Sequence, residues 1–92
     1  MPLFSPQRRD GNERGIILAL EAIGAEVEQM DKSVGCDLLV GYCGVLCLME
    51  VKEKGNQLTD RERKLFIKFG KAKVPCFVVE DIDDAIKAVR SL

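Results

Sequence analysis

The stretch "DLLVGYCGVLCLMEVK", residues Asp37 to Lys52, decides how this chain folds. Nearly every position is apolar, yet it starts on an acid and ends on Glu50-Val51-Lys52. Charged side chains are rarely buried without a partner or a task. Cys43-Gly44 has the form of a two-residue hairpin turn, in which glycine tolerates positive φ. Strands then run over Asp37–Tyr42 and Val45–Lys52. Tyr42 faces Val45, Gly41 faces Leu46, and the same register carries Asp37 opposite Glu50. Directly opposed residues share a face, with Cβ atoms roughly 4.5–5.5 Å apart. Lys52, two residues beyond Glu50, shares that face as well. Three charges separated in sequence thus converge at one end of an apolar hairpin.

Two carboxylates at that distance repel each other unless something positive lies between them. A hard divalent cation does this: oxygen ligands suit magnesium, which keeps several waters for a substrate phosphate. A lysine alongside can orient an attacking water or stabilise charge building on phosphorus. The alternative reading of Asp37, Glu50 and Lys52 is a surface salt-bridge cluster at a strand end. An E-x-K triplet alone is a weak signal. The aspartate set opposite it by the turn makes the set far more specific.

Working outward, "GNERGIILALEAIGA" reads as a helix capped by Asp10 or Asn12 and stopped at Gly24. Ile16, Ile17, Leu20 and Ile23 recur at helical spacing and mark its core side. Glu13 falls on that side, where it can lend the cation one more oxygen or simply favour the helix dipole. "AEVEQM" alternates as a short strand with Val27 and Met30 as its apolar positions, and "DKSVG" is a loop. "GNQLTDRERKLFIKFG" is a loop and a helix. Thr59 and Glu62 fit a capping box, Leu58, Leu65, Phe66 and Phe69 supply the stripe, and Gly70 marks the end. "VPCFVVE" is a β-branched and aromatic strand. "DIDDAIKAVRSL" is a last helix, capped by Asp81, with Asp83 and Asp84 in its first turn and Ile82, Ile86 and Val89 toward the core. The order is α-β-β-β-α-β-α.

Ninety-two residues, 47% of them hydrophobic, suffice for one small domain with its own core. The expected division is a flexible N-terminal arm over 1–9 and a single domain over 10–92. No apolar run reaches about 18 residues, so no membrane span is expected. No secretory signal is legible, which points to the cytoplasm and to reduced thiols. The cysteines are Cys36, Cys43, Cys47 and Cys76. The Cys43–Cys47 spacing resembles half of a zinc site, without a second close pair or any histidine. Net charge is −1, but it is unevenly spread. Between Lys52 and Lys73 the bases far outnumber Glu53, Asp60 and Glu62, while acids gather at Glu80, Asp81, Asp83 and Asp84. Arg61, Lys64, Lys68 and Lys71 fall at helical spacing, away from Leu65 and Phe69. They form either a phosphate-binding face or a solvated one.

At these residues the sequence resembles the PD-(D/E)xK nuclease superfamily, and in detail the virus-type replication-repair nuclease (VRR-NUC) family in its stand-alone phage and bacterial form. "VGCDLLVG" is similar to the family's Gly-Pro-Asp strand, and "LMEVKEKGNQLTDRE" to its Glu-Val-Lys strand and the following helix. "GNERGIILALEAIGAEVE" resembles the first helix and strand of archaeal-type Holliday-junction resolvases, in which a glutamate matching Glu13 assists metal binding. The resemblance spans Gly11 to about Val89. It implies an α/β (mixed) fold: an α-β-β-β-α-β-α restriction-endonuclease-like core with a mixed central sheet flanked by helices. It also implies Asp37, Glu50 and the main-chain carbonyl of Val51 as ligands of Mg2+ (or Mn2+), and Lys52 as the catalytic lysine. The implied activity is a structure-selective DNA endonuclease, acting as a homodimer on four-way (Holliday) junctions, with Leu3, Phe4 and Tyr42 available to an interface. Two positions depart from the pattern. Cys36 replaces a proline that shapes backbone and supplies no chemistry. Glu62 replaces a glutamine, as a catalytic group or only as the helix cap. The competing functions are an inactive DNA-binding module of the same fold and a small zinc or redox protein.

Overall fold

The computed structural model of the chain describes residues 12–92. The expected N-terminal arm, Asp10 as a cap, and Leu3 and Phe4 as interface residues lie outside the described residues. The elements are α1 (Glu13–Ala22), β1 (Glu26–Gln29), β2 (Leu38–Tyr42), β3 (Val45–Val51), α2 (Asp60–Lys71), β4 (Cys76–Val79) and α3 (Ile82–Arg90), in the expected order. The loop before β2 contains one 3-10 turn, Lys32–Val34.

The four strands form one mixed sheet in the order β1-β2-β3-β4, antiparallel at the first two seams and parallel between β3 and β4. The β2–β3 ladder runs from Tyr42↔Val45 to Leu38↔Met49, so the hairpin register is the expected one. Cys43 and Gly44 both take positive φ, 51° and 84°, as the primed hairpin turns demand. Asp37 therefore stands immediately before β2, one step past the Leu38↔Met49 pair and level with Glu50.

Alternation sorts the sheet into two faces. Val27, Leu38, Val40, Cys47, Met49, Val51 and Val79 join Ile16 and Leu20 of α1 and Ala85, Ala88 and Val89 of α3 in one core. The other face carries Leu48, Glu50 and Cys76, and α2 lies over it: the Cys76 thiol points at the Phe66 carbonyl. Glu50 and Lys52 thus face α2, not the main core.

Four local expectations are corrected. Asn12 is the N-cap of α1, but its side chain makes no cap bond and donates instead to the Glu80 carbonyl, tying α1 to the end of β4. Gly70 does not end α2, which continues to Lys71. The reversal comes at Lys73, whose φ of 68° lets the Lys73 and Val74 N–H groups bond back to Gly70 and Phe69. Ile82 is exposed, and the small Ala85 and Ala88 take the buried positions with Val89 because α3 packs closely on α1 and β4. The expected apolar stripe of α2 is only half-buried at Leu65 and Phe66, and Phe69 is exposed beneath the Lys68 ammonium.

Candidate active site at the open end of the hairpin

Among the described residues, three polar or charged groups are buried: Glu13 at 2% exposure, Asp37 at 1% and Glu50 at 2%. All three are acids singled out by the sequence. Burying a carboxylate is costly unless it is paired, hydrogen-bonded or neutralised, so each needs a physical reason.

Asp37 is held at both oxygens. Oδ2 accepts from the Val51 N–H at 2.8 Å, and Oδ1 accepts from Lys32 Nζ at 2.8 Å. The first bond locks the acid to β3. Glu50 is differently placed. Oε1 is buried with no hydrogen-bond partner, and Oε2 lies 3.6 Å from Lys52 Nζ. Burial, the charge of Asp37 and then Glu62 push the Glu50 carboxyl up to about 9. Without a metal it keeps its proton at neutral pH, with two other acids as neighbours.

Lys52 projects from the end of β3 between Glu50 and Glu62, with Glu62 Oε1 at 2.8 Å. Burial works against its charge, but Glu62 and then Glu50 outweigh burial and raise its pKa. Lys52 is therefore a fixed ammonium, a donor and not a base. Glu62 makes two contacts, one within the helix cap and one to Lys52. Its Oε1 accepts from the Thr59 N–H at 2.8 Å while Thr59 Oγ1 accepts from the Glu62 N–H at 3.2 Å, a complete capping box. The same oxygen receives Lys52. Burial opposes ionisation of Glu62, yet Lys52 and the Thr59 N–H together lower its pKa. Thr59→Ala should cost about 1 kcal/mol, a fall of about 4–8 °C in melting temperature by calorimetry. It also loosens the carboxylate that aims Lys52.

Glu13 sits on the α1 side of the sheet, where Gln29 Nε2 donates to its Oε2 at 3.0 Å. Gln29 pairs with Leu38, and the next residue, Met30, donates its N–H to the Asp37 carbonyl at 2.8 Å. Glu13 is thus at the same end of the sheet as the Asp37–Glu50 pair. No group of three or more acidic or thiol side chains is arranged to hold a metal among the described residues. A cation would rest on the two carboxylates Asp37 and Glu50, the Val51 carbonyl and water. The chemistry fits at Glu50 Oε1, a buried oxygen lacking any partner. Magnesium suits such a site, since it retains several waters.

The basic residues of α2 divide. Arg61 Nε donates to the Ser33 carbonyl at 2.8 Å, and a second guanidinium nitrogen joins it, so Arg61 fastens the 3-10 turn to α2. Lys64, Lys68 and Lys71 are exposed. Lys32 was missed by sequence reasoning. It lies in a short polar loop with no periodicity, and only its closeness in sequence to Asp37 hinted at a role. The four cysteines are free. Cys36 and Cys47 are buried, and burial foremost pushes both thiols up to about 11. In the metal-free protein these two buried thiols pack as small hydrophobes.

No family model matches the sequence, and no curated protein does. A solved structure of a "VRR_NUC domain" superimposes with a TM-score of 0.72 at 24% identity, covering 85% of this chain and 89% of that one. The chain therefore has the fold of that domain.

Proposed function

We propose that this chain is a divalent-metal-dependent DNA endonuclease of the VRR-NUC type, with Asp37, Glu50, Lys52 and the Val51 carbonyl as its centre. The observation that carries the reading is Glu50: a buried acid beside Asp37, with one oxygen unpartnered and a fixed ammonium at the other. A structural salt bridge has no use for the buried second acid, whereas a cation does. Mg2+, or Mn2+ in its place, supplies positive charge opposite the phosphate when bound. Asp37 is pre-aimed by the Val51 N–H, so its orientation costs nothing at the moment of binding. Lys52, protonated and braced by Glu62, donates to the attacking water or to a phosphoryl oxygen as charge grows there. Glu62 acts through Lys52, as a positioning residue. Glu13, at the same sheet end, holds a water of the cation's outer shell.

Exposed Lys64, Lys68 and Lys71 give α2 a cationic edge beside the site, and Arg61 contributes through its hold on the turn. Each phosphate contact removed by substitution of one of these lysines should lower the slope of log affinity against log salt by about one. Filter binding across a salt series measures this, and an unchanged slope with unchanged affinity would assign the face to solvent. Resolving a four-way junction needs two cuts on symmetry-related strands, which a homodimer provides. The exposed Val45 and Leu46 at the hairpin, with half-buried Tyr42, offer apolar surface for a partner copy. No described helix is long and apolar enough to cross a membrane, and the site of action proposed is the cytoplasm of a bacterial or phage-infected cell.

The test is a cleavage panel of duplex, single strand, flap and four-way junction with Mg2+ or Mn2+, run beside light scattering. Metal-dependent cuts in junctions by a dimer are expected. Cutting of flaps alone by a monomer would remove the junction and dimer statements and leave the nuclease. Binding of DNA without cleavage under any metal would favour the inactive module.

A further inference from the structure

Asp37 carries a cation already. Lys32 Nζ lies 2.8 Å from Asp37 Oδ1, and the lysine side chain is 43% exposed while that of Asp37 is 2% exposed. The lysine therefore reaches in from solvent to a buried acid. Its backbone is fixed on several sides. Asp31 caps the 3-10 turn by accepting from the Ser33 N–H at 2.9 Å, and Arg61 of α2 grips the Ser33 carbonyl. Gly35 ends the turn at a φ of 102°, and a Cβ there would meet Arg61 Cγ at 3.2 Å and the Arg61 carbonyl at 3.4 Å. Only glycine suits both the conformation and the gap. A turn built so closely against α2 presents Lys32 to Asp37, at the end of a long flexible stem whose side chain is 43% exposed.

A divalent cation shared by Asp37 and Glu50 competes for the oxygen that Lys32 holds, because two positive charges on one carboxylate oxygen repel. Asp37 Oδ2 accepts from the Val51 N–H at 2.8 Å, a hold on the acid that does not involve Lys32. We infer that Lys32 is a resident counter-ion on Asp37 that metal binding displaces into solvent, setting the metal affinity of the site. The inference rests on the nuclease reading above. Without metal, Lys32 is the cation on Asp37 and Lys52 the cation on Glu62. When metal enters, the ammonium leaves Asp37 and the carboxylate is handed over with its orientation unchanged.

The experiment measures Mn2+ binding to the full chain by calorimetry and melting of the metal-free protein, for the wild type, Lys32→Met, Lys32→Gln, Lys32→Arg and Asp37→Asn. Lys32→Met and Lys32→Gln should bind Mn2+ about tenfold more tightly, the scale of one charge-assisted hydrogen bond, and melt lower without metal. Lys32→Arg should behave as wild type in both. A merely structural lysine predicts the opposite sign, weaker metal binding in a loosened site. Equal or weaker Mn2+ binding in Lys32→Met and Lys32→Gln, with binding lost in Asp37→Asn, overturns the exchange and leaves the metal site standing. Absence of Mn2+ binding in the wild type and Lys32→Met alike overturns both.

Discussion

Lys52→Ala is expected to lose cleavage by at least about 10²–10³-fold while the protein still folds and still binds Mn2+. The size follows from what Lys52 does in the site. It is an ammonium held at 2.8 Å from Glu62 and 3.6 Å from Glu50, at the end of the strand that carries both Glu50 and the Val51 carbonyl. A donor fixed in that way acts on developing charge at no cost of reorganisation, and no other described lysine reaches this pair of glutamates. The fold survives because the loss leaves no bare buried charge. Glu50 keeps its proton, and Glu62 keeps the Thr59 N–H. Lys52→Arg should not rescue fully, since a planar fork replaces a point charge in a space shaped by two carboxylates. Single-turnover cleavage with far-ultraviolet circular dichroism separates the outcomes. Retained cleavage in a folded Lys52→Ala protein would remove Lys52 from the chemistry.

Glu50→Gln is expected to abolish cleavage and Mn2+ binding yet raise the stability of the metal-free protein. The Glu50 carboxyl titrates near the ordinary 4.5 when unfolded and is pushed up to about 9 when folded, by burial, Asp37 and Glu62. Between those values the unfolded chain binds fewer protons than the folded one, so metal-free stability falls as pH rises from about 4.5 toward 9. Glutamine is neutral at every pH and can donate to the neighbouring carboxylates. At pH 7 the gain should be about 1–3 kcal/mol, or about 5–15 °C in melting temperature, with a flatter pH profile. Metal uptake by the wild type should also release a proton, seen by calorimetry in buffers of different ionisation enthalpy. A Glu50→Gln protein that melts lower than wild type across this pH range would show that the acid is a structural partner. A site that is stabler when disarmed is the usual mark of residues kept for function.

The hairpin shows why part of this protein was legible in its sequence. Side chains alternate with a period of two, so one turn at Cys43-Gly44 fixed the place of every residue from Asp37 to Val51. The helices followed from local rules of equal strength: Thr59 with Glu62, and Asp81 with the Asp84 N–H, cap where their spacing said they would. Where neighbours in space outweigh neighbours in sequence, the reading slipped. Gly70 was a reasonable stop, but the helix ends where Lys73 can bond back. Ile82 was a reasonable core residue, but the close approach of α3 to α1 favours alanines.

By itself the sequence determined the order of elements, the hairpin register and the end of the sheet at which Asp37, Glu50 and Lys52 meet. These depend on contacts a few residues apart, whose geometry repeats from protein to protein. Only the tertiary structure decided the electrical state of that site. The Glu50 carboxyl is pushed up first by burial, then by Asp37 and by Glu62, which α2 brings over the same sheet face, and Lys52 is fixed because the cap of α2 also receives it. Lys32 is set against Asp37 because Arg61, 28 residues beyond Ser33, grips the Ser33 carbonyl of the turn. Burial and charge act through space, and no local pattern records which distant helix will supply them.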